Sequence, residues 1–261
     1  EGGLAAAELL VGDGNPSGKT VDTFAKSLDD YPSTYNFHES RDYVDYTDDI
    51  YVGYRYFETI PGAAEKIVYP FGYGLSYTTF DVETVSAGVV NSNCTSEANK
   101  LYAKVRVTNT GKFSGKEVVQ VYIAKPQGKL GKPAKELAAF EKTRELQPGE
   151  SQLMILTWEI NDMASYDDLG KVKKSAYVLE AGSYDIYVGT SVRDVTKADY
   201  SYILNHDVIT EQLSAKLVPT SLPKRMLADG SYEALPQSEP VDTDYSAIGN
   251  IDPCLLYTSP S

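Results

Sequence analysis

The sequence predicts an α+β chain: the end of an α/β domain, followed by an antiparallel β-sandwich of immunoglobulin type. Three observations predict it. Residues 4–11 (LAAAELLV) are an Ala- and Leu-rich run of high helix propensity. Beyond Phe80 the apolar residues alternate in short runs separated by Gly-, Pro- and Asn-bearing turns, the pattern of a sandwich. The 261 residues are 42% hydrophobic and 23% charged, which suits buried cores and not a disordered chain. At roughly 150 residues per domain, that length allows one large or two modest domains.

Gly12 and Gly14 stop the first helix, and Asn15-Pro16-Ser17-Gly18 follows as a turn. Leu4 and Leu9-Leu10-Val11 would pack that helix on a larger sheet. Residues 20–80 read as turns, aromatics and short extended pieces, with ten of the 21 tyrosines between Tyr31 and Tyr77. Leu101, Ala103, Val105 and Val107 then point one way and Tyr102, Lys104, Arg106 and Thr108 the other, until Asn109-Thr110-Gly111 turns the chain. Val119, Val121 and Ile123 form a second strand. Residues 137–146 read as a third extended element, although 136–140 alone fits a helix. Pro148-Gly149 leads into a strand over 152–160, and Ala181-Gly182 into Tyr184, Ile186 and Val188. No Cys…Trp…Cys spacing accompanies the strands, so the sandwich rests on its apolar faces, where each buried Val or Ile contributes about 1.5–3 kcal/mol. After Val192 the periodicity weakens. Pro219, Pro223, Pro236 and Pro240, among scattered acids, predict an extended connection toward another domain.

The net charge is −13, and it is uneven. Residues 1–80 carry 13 acids against 5 bases, 81–192 carry 14 of each, and 193–261 carry 10 against 5. Three balances imply three surroundings. The acidic whole lacks the basic stripe of a nucleic-acid binder. No run approaches the roughly 18 apolar residues of a membrane helix. Two cysteines, Cys94 and Cys254, cannot make a disulfide framework; they favour a reducing, cytoplasmic compartment, which the sequence otherwise leaves open. The chain opens at Glu1 without methionine or a signal-like segment, and reads as a fragment.

Several motifs invite a functional reading and fail on context. Gly12 to Thr20 (GDGNPSGKT) looks like a phosphate loop, but Asp13 stands where the first glycine is needed. A phosphate loop also follows a strand and opens a helix; here a helix comes first. His38 and His206 are isolated, which argues against zinc or a Ser-His-Asp triad. Asn93-Cys94-Thr95 fits a glycosylation sequon that matters only in a secreted chain. The acidic stretch 29–49 holds seven acids and only Arg41; without calcium-loop spacing it reads as a solvated loop. The tyrosines suit either sugar stacking or an inter-domain contact, and most read as the latter. Arg55, among Tyr51, Tyr54 and Tyr56, reads as a structural cation stacked on rings. The acid pairs Asp29-Asp30, Asp48-Asp49 and Asp167-Asp168 are sequence neighbours, which says nothing of the roughly 5–9.5 Å separation of glycosidase carboxylates.

Three blocks carry a resemblance. Glu1-Gly2-Gly3-Leu4-Ala5-Ala6-Ala7-Glu8-Leu9-Leu10, then Asn15-Pro16-Ser17-Gly18-Lys19, resembles the end of the second domain of glycoside hydrolase family 3. Tyr51-Val52-Gly53-Tyr54-Arg55-Tyr56-Phe57, then Tyr69 to Phe80 (YPFGYGLSYTTF), is similar to the segment leading into that family's sandwich. Lys116-Glu117-Val118-Val119-Gln120-Val121-Tyr122, Lys135-Glu136-Leu137 and residues 146–151 resemble its fibronectin type III-like domain. The match runs from residue 1 to about 192, and its second block is highly specific.

The resemblance implies a non-catalytic part of a retaining β-glycosidase, most simply a β-glucosidase acting on terminal β-linked glucosyl residues, with no cofactor. β-Xylosidase and arabinofuranosidase of the same family remain alternatives, as does a free-standing carbohydrate-binding or adhesion sandwich. The family's Asp nucleophile sits on a barrel and its Glu acid/base on the α/β domain; two carboxylates are needed because one attacks while the other protonates the leaving oxygen. Neither motif is found, Trp158 being preceded by Thr157 in a strand, so no catalytic, substrate-binding or metal residue is assigned. A β-glucoside or oligosaccharide would be met through other domains. The implied organisation is the end of the α/β domain over 1–74, the fibronectin type III-like sandwich over 75–192, a linker over 193–251 toward a barrel, and a non-native tail over 252–261. The sandwich should be the compact unit, residues 1–70 dependent on a partner, and the stretch beyond 200 loosest.

Overall fold

The computed structural model describes residues 2–38, 40, 42–90, 99–214 and 222–236. Helix α1 (Gly2–Val11) ends where Gly12 takes φ 84° and donates to the Leu9 carbonyl, a left-handed glycine stop. Its apolar side chains are bare: Leu4 is 66% and Leu10 86% exposed, as expected of a helix that needs a sheet to lie on. Strand β1 (Phe24–Ala25) follows, then two 3₁₀ turns over 28–30 and 32–35, the first held by a reciprocal Ser27–Asp30 capping box. Helix α2 (Tyr54–Phe57) and strand β2 (Ile67–Tyr69) complete this part, with β2 antiparallel to β1. Its core is small: Phe57, Ala63 and Ile67, with Tyr31 edge-on to Phe57 at 5.4 Å.

The sandwich is built from strands β3 (Phe80–Val89), β4 (Lys100–Asn109), β5 (Val118–Ala124), β6 (Glu136–Lys142), β7 (Ser151–Glu159), β8 (Ser165–Asp167), β9 (Ala176–Leu179), β10 (Gly182–Gly189), β11 (Val195–Leu204) and β12 (Val208–Gln212). One sheet has the order β3-β4-β7 and the facing one β11-β10-β5-β6, all antiparallel. A third, small sheet has the order β12-β9-β8. Leu101, Ala103, Val105 and Val107 all turn inward with Met154, Leu156 and Trp158. They meet Val119, Val121, Ile123, Tyr184, Ile186 and Val188 of the other sheet, so the period-2 alternation is a true face assignment. Residues 136–140, open between helix and strand in sequence, are strand. Their helical spacing is overridden by pairing of Val121 with Ala139 and Ile123 with Glu136.

The extended linker predicted over 193–251 is not what the described residues form. β11 pairs with β10 and β12 with β9, so the sandwich continues past 192. The alternation is weak because β11 is a sheet edge: Ala198 is buried, Tyr200, Tyr202 and Leu204 pack on the core only in part, and the register shifts opposite Asp185; an edge strand covers less of the core than a central one. Beyond it, strands β13 (Lys224–Met226) and β14 (Tyr232–Ala234) make a hairpin. Pro223 opens it by accepting from the Leu235 amide at 2.9 Å. The hairpin is docked, through the Met226 amide to the Thr47 carbonyl at 2.8 Å. Pro219, Pro240, both cysteines, the sequon and the 252–261 tail lie outside the described residues.

Candidate functional site

The chemistry-bearing side chains gather at the seam between residues 15–74 and the sandwich. Asn15 holds three segments at once. Its amide nitrogen donates to the Ser114 carbonyl at 2.8 Å, and its oxygen accepts from the Ser76 hydroxyl at 3.0 Å and the Tyr77 amide at 2.9 Å. Lys19 pairs with Glu117 at 2.7 Å. Thr20 and the Tyr69–Gly74 loop are cross-bonded, Thr20 amide to Tyr73 carbonyl at 2.7 Å and Gly72 amide to Thr20 carbonyl at 2.8 Å. The approach is so close that a Cβ on Gly74 would lie 2.4 Å from the Gly18 carbonyl oxygen. The sequence that imitates a phosphate loop is therefore a clamp. The Thr20 amide is bonded to protein and points at no anion site.

Strand β5 is buried on both faces. Val119, Val121 and Ile123 fill the sandwich, while Gln120 and Tyr122 face the seam and are equally buried. The Gln120 amide donates to the Thr190 carbonyl at 2.8 Å, and its oxygen accepts the Tyr122 hydroxyl. Tyr54 stacks on Phe71 at 4.6 Å and meets Tyr122 edge-on at 6.1 Å, and its hydroxyl accepts from the Leu137 amide at 2.9 Å. Burial lifts the Tyr54 and Tyr122 hydroxyls above the usual phenol range, so both are neutral donors and acceptors rather than bases. The tyrosines of this segment thus divide. Tyr31, Tyr51, Tyr54 and Tyr73 pack or bond internally, whereas Tyr35, Tyr43 and Tyr46 are exposed.

A charged cluster lies at the other end of the seam. Arg225, brought in by the β13–β14 hairpin, pairs with Asp168 at 2.8 Å and Glu233 at 2.7 Å. Lys171 also reaches Glu233 at 3.0 Å. Glu136 takes Lys125 at 2.5 Å and Arg55 at 3.7 Å, so Arg55 is an ion-pair partner here. The cation–ring contacts among the described residues are Lys135 on Tyr187 and Lys224 on Tyr232. A buried Lys132–Glu180 pair secures the β5–β6 loop, where Glu180 also accepts the Lys129 amide at 2.6 Å. Sequence reasoning missed Arg225, Gln120, Lys132 and Glu180. Only Gln120 left a signal, as a polar residue inside the apolar run VVQVYIA.

The acid pairs Asp29-Asp30 and Asp167-Asp168 serve structure. Asp30 caps the first 3₁₀ turn. Asp167 is buried and accepts four amides, Gly170 (2.7 Å), Lys171 (3.0 Å), Val172 (2.6 Å) and Lys173 (2.8 Å). Burial alone would raise its carboxyl, but those donors outweigh it and hold it below the usual range. Asp49 is raised, chiefly by desolvation, against the lowering influence of Arg225. His38 is an exposed loop residue stacked on Phe37, and His206 lies in the turn between β11 and β12. Among the described residues no group of three or more His, Cys, Asp or Glu could hold a metal ion, and no helix is long and apolar enough to cross a membrane.

Comparison with known proteins adds identity to this geometry. Residues 1–77 match the glycosyl hydrolase family 3 C-terminal domain, and 117–192 match the fibronectin type III-like domain. Beta-glucosidase A of Butyrivibrio fibrisolvens is 63% identical across 95% of this chain, which spans 31% of that protein. A beta-glucosidase of Ruminococcus albus is 42% identical across 98% of this chain and 26% of its own. Among solved structures, a beta-glucosidase from Paenibacillus barengoltzii superposes with TM-score 0.79 at 46% identity, covering 91% of this chain and 27% of its own. The chain therefore spans under a third of the length of each of these relatives.

Proposed function

We propose, from the chain's membership of glycosyl hydrolase family 3, that it is the non-catalytic scaffold of a retaining β-glucosidase that hydrolyses terminal β-linked glucosyl residues. The observation that carries this reading is the 63% identity to a beta-glucosidase across 95% of the chain, in which both matched domains stand in order and are locked by one seam. On this reading Asp30, Glu117, Glu136, Asp167, Asp168, Glu180 and Glu233 serve as caps, loop closures and ion-pair partners, and the nucleophile and acid/base lie on other parts of the parent. The seam fixes how the α/β end and the sandwich present the bare face of α1 to the rest of the enzyme. Catalytic groups must be held to within about 0.5 Å, so a rigid support has a direct functional consequence. The related proteins named as beta-glucosidases favour glucose over xylose or arabinose as the sugar released. Initial rates of the parent enzyme on aryl β-glucoside, β-xyloside and α-arabinofuranoside test this. The glucoside should have the highest kcat/KM; preference for either pentoside would overturn the assignment.

A further inference from the structure

One cleft is unclaimed by the scaffold reading. It lies where the loop before α2, the β5–β6 loop, β8 and the hairpin converge, with a volume of about 410 Å³. Asp49, Lys125, Glu136, Tyr166, Asp168 and Arg225 line it. It shares Asp49 and Arg225 with an adjoining hollow of about 400 Å³. Four of the charged groups are already fixed: Arg225 by Asp168, and Lys125 by Glu136. Asp49 differs, making no ion pair among the described residues, and its backbone is held in the left-handed region at φ 53°. Strain of that kind persists where the surroundings impose it. Tyr166 is 39% exposed and leans on Tyr177 at 5.3 Å, which steadies its ring.

This lining selects its ligand by elimination. Three carboxylates repel an anion, and two cations held among them oppose a bare metal ion. Near-balanced, pre-oriented donors and acceptors around an aromatic wall suit a neutral polyhydroxyl ring. Its apolar face meets the tyrosine, and its hydroxyls bond to the charged groups. We propose that this cleft is a saccharide-binding site, with Tyr166 as the stacking wall and Asp49 as the acceptor of sugar hydroxyls. The inference stands on the lining and not on the glycosidase reading.

Calorimetric titration of the 261-residue chain with cellobiose tests it, with inorganic phosphate as competitor. Saturable one-to-one binding in the millimolar range is expected. Asp49→Asn should weaken it about tenfold, the scale of one hydrogen bond to a charged group, and Tyr166→Ala by up to about tenfold through loss of the stacked ring. Tyr166→Phe keeps the ring and should bind as the parent chain does, with unchanged circular dichroism guarding against misfolding. Absence of saturable heat at tens of millimolar cellobiose overturns the proposal. So does binding that both weakening variants leave unchanged, or displacement of cellobiose by phosphate.

Discussion

Gln120→Ala is the sharpest perturbation of the seam. Gln120 and Tyr122 are buried, the tyrosine completely, and the tyrosine hydroxyl has the Gln120 oxygen as its acceptor. The substitution strands that hydroxyl and removes the donor to the Thr190 carbonyl. A buried polar group left unpaired costs about 1–3 kcal/mol, and the space vacated adds to that, so a loss of about 2–4 kcal/mol is expected. For a chain of this size that is a fall of about 4–16 °C in melting temperature. Gln120→Ala/Tyr122→Phe removes the stranded hydroxyl as well, and should recover about 1 kcal/mol or more of the loss. Urea unfolding monitored by circular dichroism and by tyrosine fluorescence measures both. Strict additivity of the two changes, or a single-variant loss below about 0.5 kcal/mol, would refute the idea that this pair is bonded across a dry seam.

Three further outcomes follow from named contacts. Asp167→Asn should cost about 1.5–3 kcal/mol near neutral pH, because charge-assisted amide bonds become neutral ones. The depressed Asp167 carboxyl contributes stability that is present above its unfolded value of about 3.9. That contribution is lost as pH falls through the folded value, so the gap between parent and variant should close in acid; urea midpoints across pH 2–7, a window set by about 3.9, check this. Lys132→Met should cost about 3–5 kcal/mol by leaving the buried Glu180 charge without its counter-ion, held only by loop amides, and Lys132→Met/Glu180→Gln should cost less than the single change. Arg225→Ala removes the ion pair to Asp168 that ties the hairpin to the sandwich and the one to Glu233 within the hairpin, leaving the Lys171–Glu233 pair and the Met226 amide bond to Thr47; limited chymotryptic digestion should then cut within 222–236 before any strand of the sandwich.

The parts of the fold that were legible in sequence are those written in one local period. The inward face of β4, Leu101 to Val107, could be read because one side of that sheet is dry and the other wet. Strand β11 was harder to read, because it is a sheet edge whose register shifts opposite Asp185–Tyr187 and whose core-facing residues beyond Ala198, namely Tyr200, Tyr202 and Leu204, are only partly buried. The β13–β14 hairpin was invisible for a related reason. Each strand has three residues, too few for any periodicity, and its attachment rests on distant partners: Arg225 on Asp168, 57 positions away, Glu233 on Lys171 and the Met226 amide on Thr47. The Asp167-Asp168 pair shows how adjacency misleads: one carboxylate closes its own loop on four amides and the other receives the hairpin. Gln120 was the one polar residue whose place in an apolar run announced a second buried face.

The central claim is that this chain supports glycoside hydrolysis without carrying its covalent chemistry. An activated 2-deoxy-2-fluoro-β-glucoside tests it, because a retaining enzyme forms a glycosyl ester on its nucleophile and the fluorine slows release. Intact-mass analysis and peptide mapping locate the ester. The account predicts that the isolated chain keeps its mass, and that the parent enzyme gains one fluoroglucosyl group on a carboxylate outside these 261 residues. An adduct on any Asp or Glu of this chain would contradict it.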